Sequence, residues 1–222
     1  MRFHPLLQNE SFYGGEVIPN RLTVWIDLTI SDLLASYETR ARTTIRKAIK
    51  NGLTIEWHSG PQRAAWFTQF YQAAMREIGA DELYLFPEEY FYQLLAWGQS
   101  RLAVCLYENQ PVAAAIFLIG SEVMEYHLSA ANVTAKRFGG TNLLLHEAAL
   151  LGQANHCRRL FLGGGADQMA DNSLLRFKAG FSPNRPEFKI GKYVHLAEVY
   201  HLLQQQFPTA FEAHPNRVLF YR

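Results

Sequence analysis

From Leu102 to Ala130 the apolar residues fall into three strand-length runs, Leu102–Tyr107, Val112–Ile119 and Val123–Ala130, parted by Glu108-Asn109-Gln110-Pro111 and by Gly120-Ser121. Connections this short leave no room for a crossover, so the three runs are expected to pair as an antiparallel meander. A helix from about Thr141 to Asn155 follows, apolar on most faces, and then the strand-like Leu160-Phe161-Leu162. A helix of that kind has to be covered by a sheet, and a strand reached through it returns parallel to the one it left. The centre of the chain therefore predicts a mixed, mostly antiparallel sheet flanked by helices, an α/β (α+β) class.

The flanking sequence adds helices and short strands. Leu22 to Asp27 alternate as a strand, and Ser31 or Asp32 is placed to cap a helix carrying Leu33, Leu34 and Tyr37. Arg40 to Lys50 reads as an amphipathic helix, with Ala41, Ile45, Ala48 and Ile49 on one side, Arg42, Arg46 and Lys50 on the other, and Asn51-Gly52 as its stop. Leu53 to Trp57 reads as a strand, Pro61 opens a helix to about Ile78, and Pro87-Glu88-Glu89 opens another to about Trp97. After Gly163-Gly164-Gly165, Asp171 or Asn172 caps a short helix that Gly180 ends. Val194 and Leu196 are expected in a strand, with Phe188 and Ile190 before Gly191; a helix near Leu196 to Gln206 and a strand at Val218 to Tyr221 close the chain. One continuous core is expected, with residues 1–100 as a helical portion bearing short strands packed on a main domain of residues 101–222.

The junction between the third meander strand and its helix is built to hold an anion. Tyr126-His127-Leu128-Ser129 runs through Lys136-Arg137-Phe138-Gly139-Gly140 into Thr141-Asn142. The first N–H groups of a helix lack intrahelical partners, the helix dipole adds partial positive charge, and glycine lets the backbone approach a phosphate. Lys136, Arg137, Gly139, Gly140, Thr141 and Asn142 are therefore the candidate phosphate-binding residues. Arg42, Arg46 and Lys50 form a second basic face, suited to phosphates of an acceptor or of tRNA.

Composition removes several alternatives. Lys plus Arg number 21 against 20 Asp plus Glu, so attraction to nucleic acid has to come from such local patches. Hydrophobic residues at 49% exclude a disordered chain. Cys105 and Cys157 lack a CxxC spacing and read as reduced core thiols, and His195 and His201 share no i,i+4 spacing, so no metal is expected. The opening Met1-Arg2-Phe3-His4-Pro5 has no apolar signal core, and no run approaches the roughly 18 apolar residues of a membrane span. A cytoplasmic location is expected.

Arg137, Gly140 and Asn142 fall at the places of the Arg/Gln-x-x-Gly-x-Gly/Ala acyl-donor turn of the GNAT superfamily, which this segment resembles, with Asn142 departing from the small residue usual there. More of the chain is similar to the FemABX peptidyltransferases and their bacterial relatives, which have a GNAT-like fold. The similarity covers the basic segment Arg42 to Gly52, the strand Tyr126-His127-Leu128-Ser129, the turn Gly139 to Leu144 and the ending Leu219-Phe220-Tyr221-Arg222. Its most specific part is Phe161-Leu162-Gly163-Gly164-Gly165 followed by Leu175-Arg176-Phe177-Lys178-Ala179-Gly180-Phe181. The resemblance implies a GNAT-like acyl-CoA N-acyltransferase fold and an enzyme moving an acyl or aminoacyl group from an activated donor to an amine. The donor (acyl-CoA, acyl-carrier protein or aminoacyl-tRNA) is then a cosubstrate, and no cofactor is tightly bound. The better-known members have two such domains, whereas 222 residues hold one.

The resemblance also sets Lys178 beside the transferred carbonyl or the donor phosphate, where an ammonium stabilises a developing oxyanion; the plain alternative is a lysine complementing the dipole at a helix end. Phe177 is expected to pack and aim Lys178. His127, with an imidazole that titrates near neutrality, is the candidate base for the attacking amine. Two rival readings remain: a coenzyme A or acyl-carrier-protein dependent GNAT enzyme with a small-molecule acceptor, which needs a groove for a pantetheine arm, and a non-catalytic tRNA or nucleotide-binding module, which needs a continuous basic surface.

Overall fold

The computed structural model describes residues 1–165, 169, 172–215 and 217–221. Its elements in chain order are β1 (Arg2–Phe3), β2 (Glu16–Asp27), α1 (Leu33–Ser36), α2 (Thr39–Lys50), β3 (Thr54–His58), α3 (Ala64–Glu77), α4 (Glu88–Ala96), β4 (Ser100–Tyr107), β5 (Gln110–Ile119) and β6 (Val123–Ala131). They continue with α5 (Val133–Phe138), α6 (Gly140–Ala154), β7 (Arg159–Gly164), α7 (Ser173–Ala179), β8 (Glu187–Lys192), α8 (Ala197–Gln206) and α9 (Pro208–Ala213). Contacts group the chain into two units, one of Val24–Gly163 with Arg176–Asn184, the other of Met1–Thr23, Gly164–Leu175 and Arg185–Arg222.

The larger unit carries the expected meander. β3, β4, β5 and β6 pair antiparallel in sequence order, and β7 lies parallel to β6 after α6. One face of this sheet is covered by α3 and α4, whose Phe67, Tyr71, Phe91 and Leu95 pack on Leu102, Val104, Ala114, Ile116 and Ala130. Fully burying side chains of this size contributes on the order of 2 to 3 kcal/mol each. α6 packs on β4 and β5, burying Leu143, Leu144, Leu145, Ala148 and Ala149. Glycines bring this helix close: a Cβ on Gly152 would stand 2.6 Å from Leu28 Cδ1.

α2 forms as its pattern predicts, burying Ala41, Ile45 and Ala48, but Ile49 is 53% exposed. Position 49 lies only one residue past Ala48, and about 100° around the helix carries it off the buried stripe. Asp32 caps α1, accepting from the Ala35 N–H at 2.9 Å. Ahead of α3, the residues after Pro61 begin as a single 3₁₀ turn.

In the smaller unit β8 lies between β1 and the first residues of β2, antiparallel to both. β2 begins at Glu16, well before the expected Leu22, and β1 is a strand that two residues were too short to announce. β8 holds Phe188 and Ile190 as expected but stops at Lys192, so Val194 and Leu196 lie outside it. Leu196 instead stands at the N-terminal boundary of α8, with no side-chain cap hydrogen bond. Val218 to Tyr221 forms a turn, not a strand; there Phe220 packs edge-on against Tyr200 and Phe211. Asp171, one of the two expected caps of α7, and Arg222 lie outside the described residues; Asn172 accepts from the Leu174 and Leu175 N–H groups.

Candidate active site

β6 and β7 begin as a parallel pair and then part. Their register runs Val123↔Arg159, Met124↔Leu160 and Glu125↔Phe161, and among the described residues it stops there, although β6 continues to Ala131 and β7 to Gly164. On its other edge β6 carries a bulge: Ile116 faces Leu128 and Phe117 faces Tyr126, leaving His127 as the extra residue. A bulge bends its strand and re-aims side chains. Together these features open a wedge in the sheet beside Tyr126.

Lys178 fills the side of that wedge. Its Nζ lies 5.8 Å from the centre of the Tyr126 ring and 3.6 Å from where a Cβ on Gly163 would stand. Gly163 has φ 72°, so a side chain there is strained as well as close to the amine. The residue is only 7% exposed, which removes it from the class of solvated dipole-complementing lysines. Burial pushes its pKa down to about 8. The π face of Tyr126 offsets part of the cost of keeping a cation there. The Tyr126 hydroxyl donates to Ser129 Oγ, and burial raises the phenol to about 12, so it stays neutral.

The backbone holds this lysine firmly. Phe181 is fully buried, edge-on to Tyr37 at 5.1 Å and to Phe177 at 5.7 Å, and the Glu38 N–H donates to the Gly180 carbonyl at 2.9 Å. Phe177 therefore packs, as expected, one residue before Lys178.

His127 is held from another direction. Its Nε2 and the hydroxyl of Tyr90 in α4 are 2.8 Å apart. Partial desolvation lowers the imidazole pKa, while the Glu125 charge acts the other way. Lys178 thus lies with Tyr126 and His127 with Tyr90, the two partners being set on neighbouring residues of one strand.

The glycine junction joins a short helix to the start of a longer one. Asn132 caps a six-residue helix, α5, whose last turn carries the exposed Lys136 and Arg137. Gly139, at φ 84°, ends α5 by donating to the Ala135 carbonyl and starts α6 by accepting from Leu143. Both glycines are buried, and a Cβ on Gly139 would meet Thr44 Cγ2 at 2.5 Å, one on Gly140 Ala135 Cβ and Cys105 Sγ at 3.2 Å. Their missing side chains admit α2 and β4 at close range. Thr141 and Asn142 stand half-buried in the first turn of α6.

The second basic group also divides. Arg42 spends its guanidinium on the Ala35 and Tyr37 carbonyls, at 3.1 and 2.7 Å, and on Thr39 Oγ1 at 3.1 Å, joining α1 to α2. Arg46 and Lys50 are exposed. Lys47, whose place on the helix pattern gave no sign of a role, donates to the Arg137 carbonyl at 3.0 Å and so brings the basic face of α2 beside the basic end of α5. Tyr126 and Tyr90 were likewise missed as partners; the bulge that sets them apart has no marker in the strand's composition.

Among the described residues no three His, Cys, Asp or Glu are grouped to hold a metal, and no helix is long and apolar enough to cross a membrane. The profile described as acetyltransferase (GNAT) domain matches residues 35–179. Nothing among the curated proteins matches the sequence. Among solved structures, FemX is similar over 90% of this chain and 71% of its own, at 16% identity and a TM-score of 0.67. L-PGS from Bacillus licheniformis is similar over 90% of this chain and 68% of its own, at 14% identity and a TM-score of 0.60. The aminoglycoside acetyltransferase meta-AAC0020, from an uncultured soil metagenomic sample and solved with sisomicin, is similar over 67% of this chain and 96% of its own, at 17% identity and a TM-score of 0.50.

Proposed function

This chain belongs to the acetyltransferase (GNAT) domain family, and on that premise we propose that it is an N-acyltransferase carrying an acyl or aminoacyl group from an activated donor to an amine. The observation that carries the reading is the wedge between β6 and β7 with the Lys178 ammonium inside it. A donor carbonyl lodged there has its oxygen toward Lys178. The neutral acceptor amine attacks the carbonyl carbon, negative charge gathers on that oxygen, and the ammonium stabilises it as the C–N bond forms. The C–O or C–S bond to the donor then breaks, and the proton of the attacking amine passes to His127 or to water. No covalent enzyme intermediate is needed, and the donor acts as a cosubstrate.

Of the donor classes, an aminoacyl ester of tRNA suits this chain better than an acyl thioester of coenzyme A or of an acyl-carrier protein. Arg46, Lys47, Lys50 and Lys136 offer exposed cations to a polyanionic RNA. The test is direct. The purified protein is incubated with ¹⁴C-acetyl coenzyme A or with a tRNA pool charged with ¹⁴C-amino acids, against a panel of amines that includes polyamines, an aminoglycoside and short lysine peptides. Label is expected in an alkali-stable amide, from the charged tRNA above all. Absence of transfer from both donors overturns the reading.

A further inference from the structure

His146 is a buried imidazole that the transfer chemistry does not use. It lies within α6, 8% exposed, and its Nδ1 is 3.4 Å from the hydroxyl of Tyr37, the residue between α1 and α2. The two rings meet edge-on, their centres 5.7 Å apart at 89°. Tyr37 is itself only 1% exposed, and a hydroxyl shut away from water needs a partner. Burial raises the phenol above its ordinary range and lowers the imidazole below its own, the Asp32 charge opposing the second shift, so both groups are neutral at pH 7. A neutral phenol donates to Nδ1 when the imidazole carries its proton on Nε2.

From Tyr37 the contacts run on to Lys178. The Tyr37 ring is edge-on to Phe181 at 5.1 Å, and the Tyr37 carbonyl accepts from the Arg42 guanidinium at 2.7 Å. The next residue, Glu38, donates its N–H to the Gly180 carbonyl at 2.9 Å, and the Phe181 N–H donates to the Lys178 carbonyl at 3.0 Å. A Cβ on Gly180 would stand 3.5 Å from Ala41 Cβ, so the turn that ends α7 lies against α2. Backbone bonds thus hold the near end of Tyr37, and His146 holds the far end, where the hydroxyl is. Losing that hold lets the ring shift, and Phe181 packs on the ring.

We propose that His146 and Tyr37 are positioning residues for Lys178: their contact fixes the ring on which Phe181 rests and so sets where the ammonium stands beside Tyr126. Side chains in a dense interior have few alternative places, so a shift at Tyr37 is passed to Phe181 and to the turn that carries the lysine. Its consequence for catalysis rests on the acyl-transfer reading; the coupling to Lys178 does not. A misplacement of about 1 Å in a group that meets developing charge costs up to roughly 100-fold in rate.

The test follows Lys178 in the full chain by two routes, in wild type, Tyr37→Phe, His146→Leu and His146→Asn. The first is NMR titration of ¹³C-lysine-labelled protein, the Lys178 signal being the one that Lys178→Met lacks and its wild-type midpoint expected at about 8. The second is single-turnover transfer from whichever labelled donor the wild type accepts. Tyr37→Phe keeps the ring and deletes only the hydroxyl, so the fold is expected to survive it. In Tyr37→Phe and His146→Leu the midpoint is expected to move up towards 10.5 as water reaches the amine. Transfer is expected to slow by about tenfold to 100-fold, with KM for the donor within a few-fold of wild type. His146→Asn, whose Oδ1 takes the place of Nδ1 as acceptor, is expected to recover part of both. An unmoved midpoint in Tyr37→Phe, no recovery in His146→Asn, or a moved midpoint in variants that transfer at the wild-type rate overturns the proposal. A midpoint that moves as expected in a chain that transfers from no donor supports the coupling and overturns the acyl-transfer reading instead.

Discussion

Lys178 and Tyr126 meet across the point where β6 and β7 separate, the amine nitrogen 5.8 Å from the ring centre. Burial works against the charge there and the ring works for it, so the group lies within reach of neutral pH, with a pKa of about 8. A surface lysine has no such dependence on its surroundings. The following outcomes depend on that difference or on the packing around it.

Stability is expected to rise with pH through an alkaline window. The folded chain releases the Lys178 proton at about 8 and the unfolded chain holds it to the ordinary 10.5, so between these values the unfolded state binds more protons. Folding is penalised below pH 8, and the penalty fades as pH rises towards 10.5. Lys178→Met removes it, giving a gain of roughly 3 kcal/mol at neutral pH as an upper figure. Urea unfolding of both proteins at pH 7 and pH 10 checks this: the difference between them shrinks at the higher pH.

The pH–rate profile is expected to have two limbs. Activity rises as His127 loses its proton, at a pH below the ordinary imidazole value because partial desolvation lowers its pKa. It falls as Lys178 deprotonates near pH 8. His127→Asn is expected to remove the acid limb and leave the alkaline limb in place; an unmoved acid limb would pass the proton to water.

Gly139→Ala is expected to destabilise the fold by at least about 1 kcal/mol, since it combines an unfavourable φ with a collision at Thr44. Adding Thr44→Ala removes the Cγ2 atom and is expected to restore part of the loss. Chemical denaturation of the two single variants and the double variant measures the coupling. Normal stability with lost donor binding would mark the glycine junction as a phosphate cradle.

Arg42 and Arg46 are expected to behave oppositely despite sharing a helix. Arg42→Ala removes hydrogen bonds to two carbonyls and Thr39, and is expected to cost about 1 to 3 kcal/mol of stability without altering the salt dependence of RNA binding. Arg46→Ala leaves stability within about 0.5 kcal/mol. Each phosphate contact it removes flattens the slope of log affinity against log salt by roughly 0.7 to 0.9. Filter binding across a salt series, with melting curves alongside, separates the two.

The centre of the fold was legible because its signals are local. The β4–β6 turns are too short for anything but antiparallel pairing, and α6 is too apolar to stand uncovered. α5 was hidden because six residues make less than two turns, too few to show a period. Gly139 announced a backbone need, but not that Thr44 from a helix nearly a hundred residues earlier would fill the space. Arg42 looked like its neighbours until the bend between α1 and α2 turned it onto two carbonyls. Lys178 was reached through the Phe-Lys resemblance; its burial, which gives it a distinct pKa, comes from the long-range packing of Phe181 on Tyr37.

The central claim is that the Lys178 ammonium stabilises charge on the donor carbonyl oxygen during transfer. Single-turnover transfer by wild type and Lys178→Met, with whichever labelled donor the wild type accepts, tests it most directly. Losing a preorganised oxyanion donor is expected to slow the chemical step on the order of 100- to 1000-fold, with donor affinity little changed and the melting temperature equal or higher. A rate within a few-fold of wild type, or a slow variant whose melting temperature has dropped, would contradict it and make Lys178 a packing residue at the end of α7.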